Sequence, residues 1–198
     1  SMLSFIEDVN GHIIVTTKTQ KKFSSKKLII CVGAWAPEEL GPEFLQQVPL
    51  KVIRKVLYWM EPQANNAKQE EEECPFLIGK FPVFIWETDE DGSFYGFPRQ
   101  ETSPGGVKIS IHYPNKKEVN ENDDKECPQN ECTPSTIDRN VTKAEVISMK
   151  QILSDRIPAV ANGDILHSTT CMYTTTNDLH FFIDFHPNYP SNNVIVNS

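Results

Sequence analysis

The sequence predicts an α+β fold built on mixed and antiparallel sheet, with a small number of helices packed on it. Three observations carry this reading. Alternating, β-prone runs are joined by the turn dipeptides Asn10-Gly11 and Asp91-Gly92. Two longer extended runs occupy 49–60 and 107–112. One amphipathic helix signature, opened by Thr142-Lys143-Ala144-Glu145, leads into a strand run that ends in Cys171-Met172-Tyr173-Thr174.

Composition bounds the function. The chain has 198 residues, 38% of them hydrophobic, enough for one large or two small cores. A net charge of −8 argues against nucleic acid as a partner, because neutralising phosphates calls for a basic surface. No apolar run approaches the roughly 20 residues that span a bilayer, and the start lacks the basic and apolar regions of a secretion signal. These features read as a soluble intracellular protein. Five scattered cysteines suit thiols in a reducing compartment better than a disulfide framework.

In chain order, residues 5–15 and 27–32 predict a hairpin feeding a buried strand, which ends at Gly33-Ala34-Trp35 before Pro37 opens a short helix. A strand, a glycine and a helix start in succession allow backbone to approach a ligand closely. Residues 49–60 form a long strand carrying Lys51, Arg54 and Lys55. The polar segment 63–74, with four consecutive glutamates, reads as a solvated loop without the interleaved oxygen ligands of a calcium site. Residues 81–87 and 93–97 form a hairpin, followed by the strand 107–112. On that strand Val107, Ile109 and Ile111 share the buried side, and Lys108, Ser110 and His112 share the other, facing water or a cleft.

Residues 114–135 read as a surface insertion, and Cys127 and Cys132 within it are spaced too widely for a zinc knuckle. The helix from the Thr142 capping box runs to about Arg156 before Pro158, with Val146, Met149, Leu153 and Ile157 as its apolar stripe. Asn162-Gly163 then turns the chain into the strand leading to Cys171. Alternation places Cys171, Tyr173 and Thr175 on one side, and the run 180–185 reads as a strand paired back onto it. His180, Asp184 and His186 share a face, but alternate residues lie roughly 6 to 7 Å apart along a strand, too far for a compact metal site.

Cys171-Met172-Tyr173-Thr174, followed by Asp178 and by Phe182-Ile183-Asp184-Phe185-His186-Pro187, resembles the monomeric sarcosine oxidase family of flavin-dependent amine oxidases. That family includes N-methyltryptophan oxidase and the peroxisomal pipecolate and sarcosine oxidases. Tyr95-Gly96-Phe97-Pro98, the Lys108 to His112 spacing and Gly33-Ala34-Trp35 carry the same likeness. The resemblance implies FAD joined through a thioether to Cys171, with Tyr173, Gly33, Ala34 and Trp35 also beside the cofactor. It implies Lys108, His112 and Tyr95 as catalytic residues, and no metal. Lys108 would stabilise superoxide as reduced flavin meets oxygen, while His112 and Tyr95 position the amine.

No Gly-x-Gly-x-x-Gly opens the sequence, so a Rossmann βαβ unit is missing and only a partial α/β FAD-binding domain is expected. The implied domains are 1–48 and 177–198 as parts of the FAD-binding domain, and 49–176 as the substrate domain with acidic insertions near 63–74 and 114–135. On this reading the chain is a fragment of a monomeric oxidase acting on a small secondary or N-methylated amino acid, sarcosine by default, with oxygen as acceptor. The isolated fragment is expected to be inactive. The compartment would be the peroxisome in a eukaryote and the cytoplasm in a bacterium. The alternatives are a fructosyl amino acid oxidase of the same fold and a non-catalytic binding module without flavin.

Overall fold

The computed structural model describes residues 2–63, 74–89, 92–113 and 131–198. Strands β1 (Met2–Glu7), β2 (Ile13–Thr17), β3 (Lys22–Ser25) and β4 (Leu28–Ile30) precede helix α1 (Ala36–Gln47) and the long strand β5 (Leu50–Glu61). Then come β6 (Phe84–Thr88), β7 (Gly92–Gln100), β8 (Gly106–Tyr113), helices α2 (Lys143–Ser154) and α3 (Pro158–Ala161), and strands β9 (Asp164–Thr176), β10 (Ile183–Phe185) and β11 (Val194–Asn197). The chain divides into two compact units. Unit 1 comprises Ser1–Ile53, Gln129–Ile137 and Met172–Ser198, and unit 2 comprises Arg54–Pro128 and Asp138–Cys171.

In unit 1, β1, β2 and β3 form an antiparallel meander. The first turn is closed by Asp8, whose Oδ1 accepts from the backbone N–H groups of Asn10 and His12, both at 2.9 Å. A second sheet has the order β10-β11-β4, with β11 parallel to β4 and antiparallel to β10. The core between these elements holds Ile13, Ile30, Phe44, Leu50, Val194 and Val196. Helix α1 is longer than the short helix expected, but it is interrupted. Gly41 has φ 78° and ψ 174°, because the residue before Pro42 is sterically turned away from helical angles and Pro42 has no N–H to continue the ladder.

The run 180–185 does not pair with the strand of Cys171. Leu179 takes φ 62°, and Asp178 Oδ1 accepts from the Thr176 hydroxyl at 2.6 Å and from the His180 N–H at 3.2 Å. This local turn takes the chain off the line of β9. The backbone of Phe182 then exchanges bonds of 3.1 and 2.9 Å with Ser198, and β10 pairs with β11.

Unit 2 is a five-stranded sheet of order β6-β7-β8-β5-β9, covered on one face by α2 and α3. Tyr58, Met60, Phe94, Val107 and Ile109 point to that face and pack against Met149, Leu153 and Val160. Gly96 is required there, since a Cβ would lie 2.6 Å from the Phe84 ring and 2.7 Å from Ile109. Helix α2 begins with the expected capping box. Glu145 of that box also bonds Arg54, which donates further to the carbonyls of Asp138 and Asn140. Burial pushes the Glu145 carboxyl up, but the guanidinium and the Thr142 donors outweigh it and hold the group below the ordinary value of 4.5. Pro158 ends the first helix and starts α3 in its own first turn.

Candidate active site

The face of the unit 2 sheet opposite α2 and α3 carries Tyr95, Lys108 and His112. Cross-strand register fixes them in rows. Trp59 of β5 lies opposite Lys108 of β8, and Lys108 opposite Phe97 of β7, so the three side chains share one face. The Lys108 ammonium sits 5.4 Å from the Trp59 ring centroid and 5.2 Å from that of Phe97. An aromatic face on each side attracts the cation and fixes its position. The next row is Leu57, Ser110 and Tyr95. Ser110 is fully buried rather than wet, because its hydroxyl donates to the Val56 carbonyl at 2.8 Å.

His112 occupies a bulge. Phe94 pairs with Ile111 and Ser93 with Tyr113, leaving His112 as the extra residue of β8. The imidazole and the Tyr113 ring therefore lie side by side, with centroids 4.2 Å apart, and the Tyr95 ring meets the imidazole edge-on at 6.1 Å. Lys55 donates to the His112 carbonyl at 2.8 Å and lies 5.4 Å from the centroid of Tyr113. Desolvation first, and then the Lys55 charge, lower the His112 pKa, while Glu87 opposes them. A second irregularity falls between Phe97 and Gln100, a stretch that includes Pro98, which has no N–H to give to the ladder.

Tyr95, Lys108 and His112 thus occupy one face. Cys171 is half-buried on β9, which only β5 separates from β8. Farther along β9, Tyr173 is half-buried, and Thr175 is 8% exposed with no hydrogen-bond partner for its hydroxyl among the described residues. Gly33, Ala34 and Trp35 form a single 3-10 turn in unit 1. Gly33 has φ +52°, and a Cβ built on it would meet nothing within 4 Å, so the backbone is open there.

Sequence reading missed Trp59 and Phe97 as the clamp on Lys108, and Lys55 as the neighbour of His112. The available signal was the alternation of Lys55, Leu57 and Trp59 along β5, but their partners depend on register across the sheet.

Other candidates separate. His186 is buried against the rings of Phe5, Phe44 and Tyr189, whereas His180 is exposed, and the described residues contain no group of three metal-ligating side chains. Cys127 and most of the segments 63–74 and 114–135 lie outside the described residues. A cleft of about 490 Å³ in unit 1 is lined by Glu7, Glu39, Glu43 and His186 among others. It contains none of the predicted site residues, and its three carboxylates repel a phosphate-bearing cofactor. Among the described residues no helix is long and apolar enough to cross a membrane.

Residues 2–198 match the family described as FAD dependent oxidoreductase. The chain is similar to monomeric sarcosine oxidase of Streptomyces avermitilis, 34% identical over 174 residues, which are 86% of this chain and 38% of the relative. It is similar to peroxisomal sarcosine oxidase of Homo sapiens, 28% identical over 195 residues, 96% of this chain and 43% of the relative. In fold it is similar to fructosyl peptide oxidase from E. terrenum, with a TM-score of 0.65 at 17% identity, over 100% of this chain and 43% of that one. The chain therefore spans about two fifths of the length of these proteins. It belongs to the FAD dependent oxidoreductase family, as a partial-length chain related to the sarcosine and N-methyltryptophan oxidases.

Proposed function

We propose that the protein to which this chain contributes is an FAD-dependent oxidase of secondary or N-methylated amino acids, with dioxygen as acceptor. The observation that carries the reading is the row Trp59, Lys108 and Phe97, which holds an ammonium at a fixed place on the sheet face opposite α2 and α3. The residues suit the cofactor. Trp59 Nε1 and Thr175 Oγ1 are buried without a partner among the described residues, and Cys171 offers a half-buried thiol on the strand that also carries Thr175. We assign Cys171 as the covalent tether and Tyr173 as its neighbour at the flavin. Gly33, Ala34 and Trp35 contribute open backbone on the side of the FAD domain, within 1–48 and 177–198. The substrate domain is 49–176.

When bound, FAD supplies the two-electron acceptor for the amine and the route to oxygen, yielding an imine and hydrogen peroxide. The chain's own residues bind and orient. Cys171 would hold the flavin as a thioether, with the S–H and one methyl C–H bond lost and the two electrons passing to the flavin and from it to oxygen. Lys108 stabilises negative charge that develops on oxygen, its aromatic neighbours keep it in place, and no ion pair to it is formed among the described residues. His112, shifted toward the neutral form by desolvation and by Lys55, can accept a hydrogen bond from the substrate amine, and the Tyr95 phenol lies beside it.

Sarcosine is the default substrate, and the likeness in fold to fructosyl peptide oxidase favours fructosyl amino acids as a second reading. The partners are small molecules, the protein acts as a monomer, and the compartment is the peroxisome for a eukaryotic source or the cytoplasm for a bacterial one. The test uses the full-length protein. Flavin colour should stay with the acid-precipitated wild-type protein and wash out of Cys171→Ser. Colour that is absent from the wild type, or retained by the serine variant, refutes the assignment. Amine profiling of the coloured protein separates the two substrate readings.

A further inference from the structure

The β5–β8 register ends at Leu57 and Ser110, and the β7–β8 register passes over His112. Three side chains reach in where the regular pairing stops. The Ser110 hydroxyl donates to the Val56 carbonyl at 2.8 Å, and the Lys55 ammonium donates to the His112 carbonyl at 2.8 Å. The Ser93 hydroxyl accepts from the Tyr113 N–H at 3.2 Å. Ser93 and Ser110 are among the few buried polar residues of the chain, and these bonds satisfy them there.

The Lys55 and Ser93 bonds address a single peptide group, made of the His112 carbonyl and the Tyr113 N–H. Lys55 approaches it from β5 and Ser93 from β7, the strands on either side of β8. A peptide group is planar and close to rigid, so bonds at its two ends fix the orientation of the whole unit. That orientation sets ψ of His112 and φ of Tyr113, and with them the directions of both side chains. At a regular ladder position backbone groups of the neighbouring strands supply this restraint, whereas at the extra residue of a bulge the ladder is locally disrupted. The charged donor makes the Lys55 bond the stronger of the two. The same ammonium rests 5.4 Å from the Tyr113 ring centroid, which keeps it over the peptide it holds.

We propose that Lys55 and Ser93 form a two-point clasp on the peptide between His112 and Tyr113, and that both are positioning residues for oxidation of the amine. This rests on the reading of His112 as the acceptor for the substrate amine. The clasp holds the imidazole edge-on to the Tyr95 ring and beside the Tyr113 ring, at centroid distances of 6.1 and 4.2 Å. Neither residue has to touch the substrate. Their effect belongs to reduction of the flavin by amine, the step His112 serves, and not to reoxidation by oxygen, which falls to Lys108.

The experiment uses the full-length protein. Stopped flow follows flavin reduction by saturating amine and, separately, reoxidation by oxygen, while NMR follows the through-space contact between the His112 and Tyr113 rings. Lys55→Met and Ser93→Ala should each slow reduction about tenfold or more, the scale of a misplaced reacting group, and weaken the ring contact. Reoxidation should keep its wild-type rate in both. Lys55→Arg, which restores a charged donor of sufficient reach, should recover most of the reduction rate and of the contact. Ser93→Ala leaves every charge in place, so wild-type reduction in that variant overturns the clasp even where Lys55→Met is slow. Equal slowing of the two half-reactions also overturns it, since general damage to the fold predicts that result. If Lys55→Met does not fold, Lys55→Gln, whose amide ends one bond short of the lysine nitrogen, takes its place with the same expected outcome. If the full-length protein oxidises no amine while the ring contact depends on both residues, the oxidase reading fails and the clasp stands. If it oxidises amines and both variants keep the wild-type contact, the clasp fails alone.

Discussion

The two faces of the unit 2 sheet are made by the same strands and differ in almost every other respect. On the covered face, Met60, Val107 and Ile109 are fully buried against Met149 and Leu153 of α2, where volume and shape are the only demands. On the opposite face the alternate residues of β5, β7 and β8 bring together an amine, an imidazole, two phenols and an indole. The comparison teaches a division of labour along each strand. Apolar packing on one side fixes the register, and the register sets which functional groups meet on the other.

The largest expected effect strikes the covered face. Leu153→Ala should lower unfolding free energy by about 3 kcal/mol in a denaturant titration, through lost transfer energy and the cavity left behind. A loss below about 1 kcal/mol would mean that α2 is not the anchor of the register. Lys108→Met tests the opposite face. Reoxidation of the flavin-loaded full-length protein by oxygen should slow on the order of 100-fold, comparable to removal of one charge-stabilising donor. The denaturation midpoint should move by no more than loss of an accessible cation–π contact allows, about 1 kcal/mol. Equal damage to stability and chemistry would erase the distinction between the faces.

Arg54→Met falls between these extremes, because it strands the partly buried Glu145 at the start of α2. The expected loss is about 2 kcal/mol near neutral pH, reduced from the value for a fully buried pair because Glu145 keeps 30% of its side-chain exposure. The sign of the pH dependence follows from the lowered Glu145 pKa. Its stabilisation is present above the ordinary carboxyl value and is lost as pH falls through the depressed folded value. The acid limb of the stability profile should therefore be shallower in Arg54→Met than in the wild type.

The smallest effect concerns Lys55. Lys55→Met should raise the His112 pKa part of the way toward its ordinary 6.5, as read by NMR titration of the imidazole, with desolvation remaining the larger cause. In the window between the lowered value and 6.5 the unfolded chain binds more protons than the folded one, so stability from His112 is lost as pH falls. The variant should narrow that window. A downward shift of the imidazole would contradict the Lys55 charge as a cause of the lowering.

Local pattern revealed much of this arrangement. The alternation of 107–112 assigned Lys108, Ser110 and His112 to one side, and the capping box at Thr142 marked the start of α2. Pairing between distant segments was less legible. The run 180–185 has the composition of a strand, yet nothing within it selects β11 over β9 as a neighbour, and that choice is made by the turn at Asp178 and by the exchange of bonds between Phe182 and Ser198. Strand β3 escaped notice because Lys22-Phe23-Ser24-Ser25 is exposed throughout and owes its conformation to pairing with β2. The clamp on Lys108 was hidden for the same reason, since Trp59 lies 49 positions earlier in the chain and meets the amine only through the β5–β8 register.

The unmatched residue in β8 sets the parity of the strand. With His112 present, an imidazole and the phenol of Tyr113 stand at neighbouring places. Excising that single position would bring the two strands back into step and leave the phenol as sole occupant. An imidazole, which can accept a proton, would give way to a phenol, which in its neutral form chiefly donates one. The count of residues in a strand, as much as their identity, thus decides the proton chemistry at its end.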